Sequence, residues 1–208
     1  MRSLLNKKIK KLIKSIPHTE HFIKIEKGNW SDQKIKSNEI DPKTIKKIFG
    51  RKKEIWISRN QLLSAPHGTK NKIQKIILWG YPTGSRDTAK MLRERTVNEV
   101  SKHLAKKHAS WKKFLNVKIK GIGKPTLTKL AYFNKINPQG RDALILDSRI
   151  IKSKTFWREL AHLKFSGAPF NAAQYGAYLD AMYQTSKKIG CSPDQLEFFL
   201  FSLGRSFG

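Results

Sequence analysis

A glycine-rich segment in the second half of the chain fixes where one helix ends and the next begins. Gly121 and Gly123 are separated by a single residue, and Pro125 follows shortly after them. Proline is favoured in the first turn of a helix, where its missing N–H is not needed, so the spacing predicts a helix over residues 125–133. The unpaired backbone N–H groups at such a helix start, next to two glycines, suit a phosphate group.

A single carboxylate ends the next apolar run of the chain. Leu144, Ile145 and Leu146 precede Asp147 directly. Apolar neighbours keep water and competing cations away from a carboxylate and so strengthen its charge interactions. The simpler alternative is structural, because Asp147 can cap a helix beginning at Ser148. A Gly-x-Gly pair can likewise end a helix without binding a ligand.

The charge of the chain predicts a polyanionic partner. Lys and Arg together number 43 against 15 Asp and Glu, which gives a formal net charge of +28. Few partners other than nucleic acid match such a field. Because Lys dominates and is spread along the whole chain, the charge favours binding to DNA or RNA without indicating sequence specificity.

The composition also restricts the cofactors and the compartment. Cys191 is the single cysteine, which excludes an intramolecular disulfide and any cysteine-ligated zinc or iron–sulfur site made by this chain alone. No apolar run approaches the length of a membrane span, and the first residues lack the apolar core of a secretion signal. We expect a cytoplasmic monomer with no membrane contact, no metal site and no cofactor, apart from a monovalent or divalent cation that the glycine-rich segment could hold.

The apolar periodicity predicts helices along most of the chain. An amphipathic basic helix is expected over residues 3–16, and loops or short strands over residues 17–43. Further helices are expected over residues 41–63, 88–106, 109–118, 125–133, 150–163, 171–189 and 193–203. The expected fold is mainly α, in one domain over residues 1–208. It comprises a basic N-terminal region, residues 1–65, and a helical region, residues 66–208.

The glycine pair followed by Asp147 resembles the helix-hairpin-helix DNA glycosylases. Their hairpin reads Leu-Pro-Gly-(Ile/Val)-Gly, and their catalytic aspartate follows the second hairpin helix. The Gly-Pro turn after Trp79 is similar to that of short bacterial proteins with an 8-oxoguanine-DNA-glycosylase fold. The resemblance implies a two-lobed fold with an interlobe cleft faced by Asp147 and by a hairpin over about residues 109–134. Two departures are that Lys120 replaces the usual proline and that the span from hairpin to Asp147 is a few residues longer.

The resemblance implies an enzyme, a DNA glycosylase. Such an enzyme flips a modified or damaged base out of DNA and hydrolyses its N-glycosidic bond, with Asp147 as the catalytic residue. The product is an abasic site, made in base excision repair or in defence against phage DNA with modified bases. Bifunctional members carry a lysine two positions after the second hairpin glycine, where this chain has Pro125. We therefore expect a monofunctional enzyme, while lyase activity from Lys124 stays open.

The resemblance also implies the residues that contact DNA. Those of the hairpin are Lys120, Gly121, Gly123, Lys124 and Thr126. Lys129 is expected to face solvent or phosphate. The 8-oxoguanine glycosylases place a Gln and, four residues later, a Phe against the flipped base.

Gln195 and Phe199 have this spacing, and Glu197 and Phe201 have it in another register. Tyr81 and Arg86, in the Gly-Pro turn, are candidates for stacking on bases. Four more candidates for the base pocket are Phe170, Gln174, Tyr175 and Tyr178. Core packing is the simpler role for the aromatic members of these sets.

Two other functions fit the same sequence. One is a non-catalytic DNA-binding protein that uses the hairpin only to grip phosphates, and the other is a basic RNA-binding protein. Asp147 separates these alternatives from the enzyme, because an isolated carboxylate beside a nucleic acid repels phosphate and gives a binding module no advantage.

Overall fold

The computed structural model describes residues 2–30, 40, 42–84, 86–155, 157–165 and 170–206, without the side chains of four residues. Those four are Arg86, Gln139, Arg205 and Ser206. The described part contains eleven α-helices and two β-strands, so the predicted mainly α fold is confirmed. In chain order they are α1 Lys7–Ser15, β1 Phe22–Glu26, α2 Pro42–Phe49, β2 Glu54–Ser58, α3 Arg59–Ser64, α4 Lys70–Gly80, α5 Arg86–Met91, α6 Glu94–Leu104, α7 Trp111–Leu115, α8 Lys124–Phe133, α9 Ser148–Lys154, α10 Ala172–Ile189 and α11 Pro193–Ser206.

The chain divides into two compact units. Unit 1 contains Met1–His18, His108–Asn116 and Asn137–Gly208. Unit 2 contains Thr19–Lys107 and Val117–Ile136. The glycine-rich segment therefore belongs to unit 2, and Asp147 belongs to unit 1. No helix among the described residues is long and apolar enough to cross a membrane.

Unit 2 contains a small antiparallel sheet of two strands, of which the sequence analysis predicts the first and not the second. Strand β1 falls where a short strand is expected, and it pairs with β2 so that Ile25 lies opposite Ile55 and Lys24 opposite Trp56. The prediction of one continuous helix across residues 41–63 is wrong, because strand β2 lies between helices α2 and α3. Trp56 does not continue a buried helical stripe but lies on the exposed face of the sheet.

The helices of unit 2 pack around α4. Its residues 76–79 are buried, and it packs against α6 and α8. Helix α8 is buried along most of its length and has the bounds expected from Pro125, apart from one residue at its start. The helix expected over residues 88–106 is two helices, α5 and α6, because the chain turns at Leu92 and Arg93.

Unit 1 is built on α9, α10 and α11. The closing helices α10 and α11 lie where the periodicity predicts them, while α9 ends at Lys154 and residues 158–162 form turns. Helices α9 and α11 pack closely at Gly204, where an added Cβ atom would collide with the carbonyl of Arg149. Helix α7 is only five residues long and packs against α10, with Trp111 edge-on to Tyr175.

Candidate functional site

The glycine-rich segment forms a tight turn before α8. The N–H of Ile122 donates to the carbonyl of Ile119 at 3.0 Å, and both side chains are buried. Gly121 has a φ of +84°, in the left-handed region that side-chain-bearing residues adopt only with strain. The two buried isoleucines hold the turn on unit 2, so Lys120 and Gly121 between them face solvent.

Gly123 is the N-cap of α8, and its conformation does not require glycine. Its φ and ψ are −87° and 169°, ordinary extended values. A Cβ atom added there would meet only Cδ of Pro125, at 3.7 Å. Most N-cap residues supply a side-chain oxygen to the first turn, and a glycine leaves that place for an oxygen from outside the chain. The exposed Gly123 thus presents the start of α8 to solvent.

Thr126 and Tyr81 meet beside this turn. Thr126 is 2% exposed, and its hydroxyl oxygen lies 2.7 Å from the hydroxyl oxygen of Tyr81, the half-buried C-cap residue of α4. The Thr126 side chain is therefore engaged inside unit 2 rather than displayed beside Lys120 and Lys124. The hydrogen bond between the two hydroxyls joins the C-terminal end of α4 to the first turn of α8.

Lys129 corrects one expectation. It was expected to face solvent or phosphate, yet it is only 5% exposed. Its stem would touch a Cβ atom added at Gly80, and its ammonium lies 5.7 Å from the centroid of the Tyr81 ring. The close packing of α4 on α8 buries this side chain, which is why the prediction is wrong.

Three further candidates around the turn differ in what the structure describes. Lys120 is exposed and Lys124 is half-buried, so both sides of the glycine pair carry a cation. Arg86 begins α5, but its side chain lies outside the described residues. The Gly-Pro turn itself is closed by a bond from the N–H of Gly84 to the carbonyl of Tyr81, at 3.0 Å.

Asp147 lies at the start of α9 in unit 1 and is 8% exposed. It is the N-cap residue, as the structural alternative predicts: one carboxylate oxygen accepts from the N–H of Arg149 at 3.1 Å and from that of Ile150 at 3.3 Å. These two bonds fix the direction of the carboxylate relative to α9. The capping role is compatible with a catalytic one. The capping bonds hold the carboxylate in place, and a charge in a fixed position can stabilise a reaction without first having to reorient.

The segment that delivers Asp147, residues 143–146, has no regular secondary structure and belongs to no sheet. The backbone groups of Leu144 and Ile145 bond to side chains of α10 and α11. The Tyr175 hydroxyl donates to the carbonyl of Leu144 at 2.7 Å, and the Tyr178 hydroxyl donates to the carbonyl of Ile145 at 2.9 Å. A carboxylate oxygen of Glu197 accepts from the N–H of Ile145 at 3.3 Å.

These three buried side chains satisfy backbone groups that would otherwise be costly to bury. Burial raises the pKa of Tyr175, so its hydroxyl remains a donor at physiological pH. Tyr175 and Tyr178 were candidates for the base pocket and Glu197 for an alternative register, while their contact with this segment was not predicted. The aromatic residues after the Pro169 break were the only sequence signal that could have indicated it.

The remaining pocket candidates have structural contacts in unit 1. Gln195 accepts from the N–H of Ser192 at 3.0 Å and donates to the carbonyl of Lys14 at 3.0 Å. Phe199 is buried, with its ring centroid 5.6 Å from that of Trp157. These contacts explain both residues without a ligand, and their role in a base pocket stays a prediction.

Two other candidates lie at the start of α10. Phe170 is buried and stacks on Tyr175 with a centroid separation of 5.9 Å. Gln174 forms a capping box with Asn171, and its amide nitrogen donates to the carbonyl of Lys164. Among the residues with described positions, no group of three or more His, Cys, Asp or Glu side chains converges as a metal site would require.

Comparison with protein families gives a match over most of the chain. The model of a family described as "Putative 8-oxoguanine DNA glycosylase OGG-like protein" matches residues 17–201. The match includes the whole of unit 2, the turn before α8 and the segment that ends in Asp147. No curated protein and no solved structure matches the chain.

Proposed function

The chain belongs to the family of OGG-like 8-oxoguanine DNA glycosylases, and we propose that it is a DNA glycosylase that hydrolyses the N-glycosidic bond of a modified or damaged base. The observation that carries this proposal is the family match over residues 17–201, which includes Asp147. Base excision repair and defence against phage DNA with modified bases are the two settings proposed for this activity.

Asp147 is the proposed catalytic residue. Cleavage of an N-glycosidic bond builds positive charge on the sugar, and a carboxylate beside the sugar stabilises that charge and orients the attacking water. The bonds from the backbone of Arg149 and Ile150 hold the carboxylate in one direction before any substrate arrives. A charge that needs no reorganisation during the reaction is the most effective stabiliser.

The turn before α8 is the proposed DNA contact. Exposed Gly121 and Gly123 let a phosphate approach the backbone N–H groups at the start of a helix, with Lys120 and Lys124 on either side. A monovalent or divalent cation held at the same turn is compatible with this proposal. The wider charge of +28 adds attraction that does not depend on sequence.

We propose that the enzyme is monofunctional and monomeric. Pro125 occupies the position at which bifunctional relatives carry their lysine nucleophile, and a proline side chain has no amine. Lys124 precedes it by one residue, which turns its side chain by about 100° around the helix axis. The expected product is an intact strand with an abasic site.

One assay tests the proposed activity directly. The purified protein is incubated with DNAs containing oxidised, alkylated, uracil and phage-type hypermodified bases. Released base is measured by mass spectrometry, and strand breaks are measured before and after mild alkali. We expect one substrate to release its base and to break only after alkali, with no adduct trapped by borohydride. A trapped adduct would instead assign a nucleophilic amine to the protein.

A second candidate function is favoured by the capping bonds of Asp147. Because those bonds explain the residue as a helix cap, a non-catalytic protein that grips DNA phosphates through the turn fits the same contacts. In that case every DNA of the panel would be bound with steep salt dependence and none would release a base.

A further inference from the structure

Unit 2 contains a cavity of about 500 Å³ beside β2, well away in sequence from the turn and from Asp147. We call it the Lys72 pocket. Its wall is formed by the last residues of α2, by β2, by α3 and by the first half of α4. The volume lies within the range of small-molecule sites. The residues that matter for its chemistry are Lys52, Lys72 and Lys75, with Glu54 and Trp56.

Lys72 is the unusual member of this wall. It is 1% exposed, and its ammonium donates to the carbonyl of Ala65 at 2.8 Å. Ala65 lines the same cavity. Among the described residues, no carboxylate lies within ion-pair distance of Lys72, and the neighbouring charge that acts on it is that of another cation, Lys135. A buried ammonium without a counter-ion is costly, and the negative charge of an anion in the adjoining cavity would offset part of that cost through space.

The charge around the pocket has the sign that an anion requires. Lys52 and Lys75 also line it, against the single carboxylate of Glu54. That carboxylate is already engaged by the ammonium of Lys24, at 3.3 Å. Burial lowers the pKa of Lys72 to about 8, with a further contribution from Lys135, so the side chain carries its charge at neutral pH.

Trp56 supplies a flat apolar surface at the same pocket. Trp56 is 56% exposed, whereas the other four tryptophans are buried. The indole is nevertheless held in place, because its N–H donates to a carboxylate oxygen of Glu54 at 3.2 Å. A fixed and exposed indole is a suitable surface for stacking a nucleobase.

We propose that the Lys72 pocket binds a nucleotide, with the phosphate in the combined positive field of Lys52, Lys72 and Lys75 and the base on Trp56. The amide side chains of Gln61 and Asn71 also line the cavity and can hydrogen-bond to a base edge. The nucleotide is either a free nucleoside monophosphate or one unit of a single strand. This inference concerns binding alone and does not depend on base release by the same chain.

The test is a binding titration of the full chain, read out by the indole N–H signals of ¹⁵N-labelled tryptophan. The probes are deoxyadenosine monophosphate, inorganic phosphate and an adenine trinucleotide. We expect the monophosphate to shift the Trp56 signal more than the other four signals, with inorganic phosphate binding more weakly. The Trp56 signal is assigned from the Trp56→Phe variant. Of the monophosphate and the trinucleotide, the one that binds more tightly identifies the source of the nucleotide.

The control for general charge attraction is a second lysine on the same helix. Lys72→Met should weaken nucleotide binding by about tenfold or more, because it removes a desolvated charge while keeping an unbranched side chain. Lys70→Met removes the same charge from the exposed start of α4, outside the pocket, and should leave the affinity unchanged. Equal affinities in both variants and the parent would overturn the proposal.

Two further measurements keep the proposal open to refutation if Lys72→Met folds poorly. Trp56→Leu changes an exposed side chain and should lower nucleotide affinity while leaving inorganic phosphate binding intact. A Trp56 signal that does not respond to the monophosphate would contradict the assignment. Tighter binding of a polyglutamate peptide than of either nucleotide probe would replace the nucleotide with an acidic peptide.

Discussion

The hydroxyl oxygens of Tyr81 and Thr126 lie 2.7 Å apart, and their hydrogen bond joins the C-terminal end of α4 to the first turn of α8. The proposed DNA contact at Gly123 precedes this turn directly. The position of the glycine-rich turn before α8 is therefore linked to the packing of α4 in the core of unit 2.

A double-mutant cycle measures this link. Tyr81→Phe and Thr126→Val each remove one hydroxyl and should each lower the free energy of unfolding by about 1 kcal/mol. The double variant should lose less than the sum of the two, since the second change removes a group already without its partner. Urea denaturation gives all three values. Strict additivity would mean that the bond contributes nothing to stability.

Asp147→Asn separates catalysis from capping. Asparagine is an effective N-cap residue, so we expect the melting temperature to stay close to that of the parent. Base release should be abolished, while DNA affinity is equal or slightly higher because one repulsion to phosphate is removed. Asp142→Asn makes the same charge change at an exposed carboxylate in the connection before the segment and should retain base release. Full activity in Asp147→Asn would rule out the proposed mechanism.

The two glycines of the turn should respond differently to a side chain. Gly123→Ser supplies a good N-cap residue in a conformation that already suits it, so stability should be unchanged or higher. DNA affinity should fall, because the side chain takes the place of the phosphate oxygen. Gly121→Ala should instead cost about 1 kcal/mol or more, since its φ of +84° is strained for alanine. Undiminished DNA binding by Gly123→Ser would make the turn purely structural.

Tyr178→Phe tests whether α10 positions Asp147. The change leaves the buried carbonyl of Ile145 without its donor, which should lower the free energy of unfolding by about 1–3 kcal/mol. If the segment then shifts, kcat for base release should fall by about tenfold with little change in KM. Tyr183→Phe is the matched control on the same helix, because its hydroxyl makes a longer, 3.4 Å contact with the carbonyl of Asp142. Equal kinetic effects in the two variants would argue against positioning through Ile145.

Lys72 should give unit 2 a characteristic pH dependence. Its pKa is about 8 in the folded chain against 10.5 ordinarily, so the unfolded chain binds more protons between these values. The free energy of unfolding should therefore rise with pH, relative to Lys72→Met, by on the order of 2 kcal/mol between pH 8 and pH 10.5. Nucleotide binding should weaken over the same interval as the ammonium loses its proton.

The other groups around Lys72 do not reproduce this dependence. The charge of Lys135, just beyond α8, acts on Lys72, and Lys52, Lys75 and Glu54 line the same pocket, but all of these are present in both proteins being compared. Burial lowers the pKa of the neighbouring His67, which is then neutral across the interval. A constant difference in stability between the parent and Lys72→Met would contradict the assignment.

Local sequence patterns predicted the elements whose signals are local. Pro125 and the helical spacing after it predicted α8, and the long apolar stripes predicted α10 and α11. Strand β2 was missed because Trp56 and Ile57 also fit a helical stripe, and only pairing with the distant β1 decides between the two.

The burial of Lys129 and the contacts of Tyr175, Tyr178 and Glu197 are tertiary in origin. Lys129 is covered because α4 packs on α8, and no spacing within α8 indicates that. The bonds to Leu144 and Ile145 join residues more than thirty positions apart. The N-cap role of Asp147, in contrast, was one of the two alternatives given by its immediate neighbours.

Side chains of α10 and α11 hold residues 144 and 145 in place. The position of Asp147 therefore does not depend on how many residues lead to this segment. The connection before the segment is largely exposed, at Asn137 and from Gly140 to Asp142. Residues can be gained or lost there while the same tyrosine hydroxyls hold the segment in the same register. Natural variants of this connection should therefore differ in length more freely than variants of the segment itself.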